Sequence, residues 1–144
     1  MSIINVVGAK IWGGGEQYVY DICKQLQQRH RTAYILVDQS NEDMQSRYAQ
    51  VGHVMTANLY TLKGFLSVNA VAKQMKEQGI NTIVCHSGKY ILFCIALKQL
   101  TGAKLVFIKH NHVPGKTDIY QRWINAQVDA FVSVSKLVYN DLMK

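Results

Sequence analysis

The sequence has a single proline in 144 residues, and no stretch rich in proline, glycine or serine that would read as a linker. With 49% hydrophobic residues, that marks one compact globular unit and excludes a disordered chain. No apolar run reaches the roughly 18 residues that a membrane-spanning helix requires. The opening stretch, MSIINVVGAKI, has neither the charged start nor the cleavage site of a secretory signal. The three cysteines, Cys23, Cys85 and Cys94, are odd in number and lack Cys-x-x-Cys spacing. They therefore read as small buried hydrophobes in a reducing compartment, with the cytoplasm as the expected location. Acidic residues are scarce, nine against sixteen Lys and Arg, for a net charge of +7. Such an excess favours an anionic partner: a phosphorylated small molecule, nucleic acid or an acidic membrane face. The basic residues are scattered, and no recognition motif or aromatic platform accompanies them, so nucleic acid is not expected.

What is present is an alternation of short β runs and amphipathic helices. Strands are expected at 2–8, 33–38, 53–58, 81–86, 103–110 and 129–135. Helices are expected at about 15–30, 64–78, 88–100 and 117–127, with a last one starting at Ser135 or Lys136. Val19, Ile22, Cys23 and Leu26 line one face of the first helix; Phe65, Val68, Val71, Ala72 and Met75 line the second. Gly79 and Gly102 fall where helices end. The polar stretch 41–52 reads as a short helix or a loop. Nearly continuous Val/Ile/Leu strands between helices of 10–15 residues indicate a parallel sheet covered on both faces. The expected fold class is α/β, a doubly wound Rossmann-like sheet in one domain over residues 1–144. The chain stops at LVYNDLMK, inside a helical pattern, as if cut from a longer protein.

Open parallel sheets bind ligands beyond the carboxyl ends of their strands. Here those ends carry Gly8 and the run Gly13-Gly14-Gly15-Glu16, then His86 and Ser87, then Lys109, His110, Asn111 and His112, then Ser133, Ser135 and Lys136. Three of the five histidines thus gather at one edge with lysines and serines beside them. That collection suits an anionic or polyhydroxylated ligand, because imidazole both donates and accepts hydrogen bonds. The glycine run matches neither common phosphate loop. Gly-x-Gly-x-x-Gly would need a glycine where Tyr18 stands, and Gly14 and Gly15 occupy the places where Gly-x-x-x-x-Gly-Lys-Ser/Thr requires lysine and a hydroxyl. What remains is a glycine loop feeding a helix N-terminus, whose free N–H groups can receive a phosphate or a sugar hydroxyl. Glu16 suits the first turn as a cap, and the glycines as a tight turn is the other reading. A metal at His110, His112 and Cys85 or His86 lacks a suitably spaced carboxylate or second thiol. No Gly-x-Ser-x-Gly turn exists for a serine triad.

Taken together, these stretches resemble the N-terminal domain of a GT-B glycosyltransferase of the large, retaining family-4 group. The resemblance runs over essentially the whole chain. Gly13-Gly14-Gly15-Glu16 resembles the family's Gly-Gly-x-Glu loop, in which alanine is usual at the third place. VCHS at 84–87 and LVFIKHN at 105–111 are similar to its histidine-bearing strand ends. DAFVSVSKLVYNDLM at 129–143 resembles its next strand and helix. The resemblance implies two Rossmann-like domains around a cleft. The present one would hold the acceptor, and an absent C-terminal one the nucleotide-diphosphate sugar. The family's Glu-x7-Glu motif is missing, since Glu16, Glu42 and Glu77 are the only glutamates.

By the same resemblance, His110 is the catalytic residue, facing the donor sugar near the reacting carbon. Gly13, Gly14, Gly15, Glu16, His86, Ser87, Lys109, Asn111, Ser135 and Lys136 are the candidate substrate-binding residues. No metal or cofactor is implied, the donor being a substrate. The expected function is the acceptor-binding domain of a transferase in glycan or polysaccharide assembly, inactive on its own. The expected partners are a sugar or lipid-linked acceptor and, through the missing domain, a nucleotide sugar. Leu59 to Phe65, with Lys63, forms an amphipathic patch that suits peripheral contact with the inner membrane face, ordinary packing being the other reading. A free-standing Rossmann-like module for a phosphorylated or sugar ligand, and half of an epimerase-like nucleotide-sugar enzyme, are the competing functions.

Overall fold

A computed structural model of the chain describes residues 2–8, 11–59, 64–109, 123 and 126–133. Six strands form one sheet: β1 (Ile3–Val7), β2 (Tyr34–Asp38), β3 (His53–Ala57), β4 (Thr82–Cys85), β5 (Lys104–Lys109) and β6 (Ala130–Ser133). Their order across the sheet is β3-β2-β1-β4-β5-β6, with every neighbouring pair parallel. The chain therefore winds outward from β1 in one direction, returns, and winds outward in the other. This is the doubly wound arrangement expected from the alternation of strands and helices.

Among the described residues four complete α-helices connect these strands: α1 (Gly14–Gln28), α2 (Glu42–Ala49), α3 (Gly64–Gln78) and α4 (Ile91–Thr101). The expected helix at 15–30 stops short of His30, which takes a left-handed φ of 59° beyond the last turn. The stretch 41–52 resolves into a helix because Asn41 caps it. The Asn41 side chain accepts the Met44 N–H at 3.1 Å, and Met44 and Tyr48, one turn apart, are both buried. The helix expected at 88–100 is divided. Gly88–Tyr90 form a short 3-10 turn, and α4 then runs to Thr101, closed by Gly102 at φ 72°. Of the helix expected at 117–127 and the last helix, only residues 123, 126 and 127 are described, all helical.

Period-two alternation sorts the core into two layers. Val7, Ile35 and Val37 face α1 and α2, and pack with Tyr18, Val19, Cys23, Met44 and Tyr48. Ile4, Val6, Leu36, Ile83, Cys85 and Leu105 face the other way and pack with Val68, Val71, Met75 and the α4 residues Cys94 and Leu97. The registers agree with this division: Val6 lies level with Leu36 and Cys85, Val7 with Val37. All three cysteines are buried and unbridged. Desolvation pushes the Cys23 thiol up to about 12, and raises Cys94 as well, with Cys85 beside it adding to the shift. The Cys23 and Cys94 thiols are therefore uncharged packing groups at neutral pH.

Leu59 is only 5% exposed and belongs to the larger core layer, so it is not available to a lipid surface. The expected membrane patch is corrected at that residue; residues 60–63 lie outside the described part. No helix among the described residues is long and apolar enough to cross a membrane.

Candidate functional site

Sheet order reverses between β1 and β4, because β1 is followed by β2 on one side and flanked by β4 on the other. The crevice outside the strand ends at such a switch point is where doubly wound sheets take ligands. Two loops meet there. One leaves β1 at Gly8 and enters α1 through Gly13. The other leaves β4 at Cys85 and runs through His86 and Ser87 into the 3-10 turn. Since Val6 pairs with Cys85, the two loops start side by side.

The β1 loop is held from below. A Cβ on Gly8 would lie 2.7 Å from a ring carbon of buried Tyr90 and 2.9 Å from Leu59 Cδ1, so only glycine lets the strand end pass beneath that ring. Trp12 anchors the far side. Its ring lies 5.2 Å from Tyr48 and 5.9 Å from Tyr20, its Nε1–H donates to Gln17 Oε1 at 3.1 Å, and the Arg47 guanidinium sits 4.8 Å from its centroid. Tyr48 completes the attachment by donating to the Glu16 carbonyl at 2.9 Å.

Between these anchors the glycine run behaves differently. Gly13 is the N-cap of α1 with extended backbone, φ −137° and ψ −164°. Gly14 opens the first turn, and a Cβ built on it would meet nothing within 4 Å. A Cβ on Gly13 would meet only the Glu16 carboxylate, at 3.2 Å. Neither has the positive φ that makes glycine necessary. Glu16 accepts the Gly13 N–H at 2.9 Å, which is half of a capping box, so one carboxylate oxygen is engaged in the helix start.

On the β4 side, His86 is half-buried and its Nε2 lies 3.0 Å from the Asn5 side-chain oxygen. The Ser87 hydroxyl accepts the Lys89 N–H at 3.3 Å, and its carbonyl accepts the Cys85 S–H at 3.1 Å. Lys109 ends β5 level with Ser133 of β6. His110, Asn111, Ser135 and Lys136 lie outside the described residues. The structure thus brings Gly13, Gly14, Gly15, Glu16, His86 and Ser87 to one rim, with Lys109 at the end of the neighbouring strand. Among the described residues no group of three metal-ligating side chains occurs.

Sequence reasoning missed Asp38 and Asn5, both buried polar residues inside strands. Asp38 ends β2 and accepts from the Leu59 N–H at 3.1 Å with one oxygen and the Ser40 N–H at 3.2 Å with the other, which also receives the Ser40 hydroxyl. It therefore clamps two rim loops together. The only signal in the sequence was a charge at the end of an apolar run.

The fold defines a doubly wound α/β domain with its strand-end rim at the β1/β4 switch point. The chain belongs to glycosyltransferase family 4, whose model matches residues 12–144. No curated protein sequence matches the chain. Solved structures share its fold. A glycosyltransferase from Rickettsia africae is 17% identical, with a TM-score of 0.77, over 99% of this chain and 39% of its own. HepE from Anabaena, crystallised with UDP, is 16% identical, with a TM-score of 0.70, over 99% of this chain and 40% of its own. MurG from Acinetobacter baumannii is 14% identical, with a TM-score of 0.69, over 93% of this chain and 41% of its own. The chain thus spans about two fifths of the length of these proteins.

Proposed function

We propose that this chain is the acceptor-side half of a glycosyltransferase that moves a sugar from a nucleotide diphosphate to a glycan or lipid-linked acceptor with retention of anomeric configuration. Family membership supports sugar transfer, and the UDP held by one structural neighbour supports a nucleoside-diphosphate donor. The observation that carries the reading is the open glycine run at the switch point. Gly14 answers no demand of backbone angle or internal packing, and a side chain on Gly13 would crowd only the Glu16 carboxylate, so the missing side chain of Gly14 makes room for something from outside.

In this reading the α1 N-terminus offers N–H groups and the positive end of the helix dipole to the departing diphosphate or to an acceptor hydroxyl. His86 and Ser87 contact the acceptor from the neighbouring strand. His110 faces the reacting carbon. Preorganised donors and positive charge aimed at the leaving group supply most of the rate, and no metal is required. The second domain carries the donor-reading residues, and this chain alone does not turn over.

The test is sugar transfer by the full-length protein from a panel of nucleotide-diphosphate sugars, with the product's anomeric configuration read by NMR. Transfer with retention is expected. Transfer with inversion would refute the retaining mechanism, and no transfer from any donor would refute the enzyme reading.

A further inference from the structure

Asn5 is the only amide among the buried polar residues of the described strands, and it is 6% exposed. It stands in the middle of β1, the central strand at the switch point, where its neighbours are Ile4, Val6 and Val7. An apolar residue would suit that place better, because burying an amide costs free energy unless it is hydrogen-bonded. Its register partner on β4 is Val84, and His86 follows two residues later on the same face. The Asn5 oxygen lies 3.0 Å from His86 Nε2. An amide oxygen accepts, so the ring nitrogen facing it carries the hydrogen, and Nδ1 is then the acceptor nitrogen of the neutral ring.

We infer that Asn5 is a positioning residue. It fixes the ring plane and the Nε2–H tautomer of His86 at the rim, and through that ring sets how the site hydrogen-bonds its acceptor sugar. The acceptor role rests on the transferase reading; the fixing of the ring does not. A histidine loosely held at a loop would sample several ring orientations. One hydrogen-bonded to a buried side chain of β1 is held by an interior strand of the sheet. That is the way buried partners orient working imidazoles elsewhere in protein chemistry.

The experiment has two arms, both on the full-length protein. In the first, selective 15N-histidine labelling reads the tautomer and the ring proton of His86. The wild type is expected to show a protonated Nε2 whose proton exchanges slowly enough to be observed and gives a cross-peak to Asn5. Asn5→Asp keeps an acceptor oxygen and is expected to keep that proton; Asn5→Leu is expected to lose it. A wild-type ring protonated at Nδ1 only, or a Nε2 proton in fast exchange, would overturn the inference without any variant having to fold.

In the second arm, Asn5→Leu is expected to raise the acceptor KM on the order of tenfold while the donor KM is unchanged, with Asn5→Asp close to wild type. An unchanged acceptor KM with a lower yield of active protein would mean a purely structural residue and would overturn the positioning role. Absence of transfer by the wild type would count against the transferase reading alone, since the NMR arm still decides whether Asn5 fixes the ring.

Discussion

At the rim where the strands begin, polar groups are spent on holding the chain. The Ser2 carbonyl takes the N–H groups of Asn81 and Thr82, and the Asp129 carboxylate takes the Leu105 N–H at 2.7 Å while pairing with Lys98 at 2.9 Å. Lys98 also donates to the Gln127 carbonyl, and Gly52 lets β3 begin hard against the Ala33 carbonyl. At the rim where the strands end, the picture is mixed. Asp38, Gly8 and Trp12 are equally committed, but Gly14 is not, and half-buried His86 is steered by a residue deep in β1. The difference separates scaffold from site. Where every unusual residue has an internal reason, the region is structural; Gly14 lacks one, and the proposed function assigns that reason to a molecule from outside.

Four substitutions sharpen or break that contrast. The largest effect on stability is expected at Gly52. A Cβ there would lie 2.6 Å from Ile35 Cδ1 and 2.7 Å from the Ala33 carbonyl oxygen, and backbone cannot step aside cheaply. Gly52→Ala should cost about 1–3 kcal/mol in urea denaturation and leave the substrate KM values alone; a loss under half a kcal/mol would mean that the strand start is looser than drawn.

Next comes Tyr48→Phe, which removes the hydrogen bond to the Glu16 carbonyl beneath the glycine run. It should cost about 1 kcal/mol by the same measurement, and it tests whether the aromatic anchor is part of the scaffold.

The third is a pH dependence. The Leu105 N–H first, and then Lys98, hold the Asp129 carboxyl below its ordinary value. A group depressed in the folded state contributes stability that is present above its unfolded value of about 3.9 and is lost as pH falls through the folded one. Stability should therefore fall below about pH 4, and Asp129→Asn should flatten that part of the curve. The side chain is 42% exposed, so solvent screening keeps the effect small. An unchanged acid limb would show that the pair does not lock the rim.

The smallest effect, and opposite in sign, is expected for Gly14→Ala. Its Cβ would meet nothing in the first turn of α1. Restricting the unfolded chain at a compatible site should raise stability by about 0.4–1 kcal/mol. A destabilisation would mean that Gly14 serves the fold after all.

Much of the architecture was legible in the sequence because its signals are local. Short β-forming runs, four of them beside Gly8, Gly52, Gly79 or Gly102, gave the strands, and the stripe through Val68, Val71, Ala72 and Met75 gave α3. The α2 helix was ambiguous, since in eight mostly polar residues only Met44 and Tyr48 mark a buried face and its cap lies just outside. The 3-10 turn at Gly88–Tyr90 was hidden because its residues continue the α4 pattern. The rim itself was legible as a list of strand ends. What could not be read were the long-range polar contacts. Asp38 reaches an N–H 21 residues away and Asn5 a ring 81 residues away, and nothing near either residue announces its partner. At Leu59 the packing reading holds over the membrane one, a choice local amphipathicity could not make because it does not show which side meets the core.

The most direct measurement is the transfer rate of the full-length protein carrying Gly14→Val, set beside its melting temperature. The account predicts an unchanged melting temperature and a fall in kcat/KM on the order of 100-fold, because the new side chain fills space that a reacting partner must occupy. Wild-type turnover with an isopropyl group at the head of α1 would contradict it, and would leave the glycine run as no more than a turn.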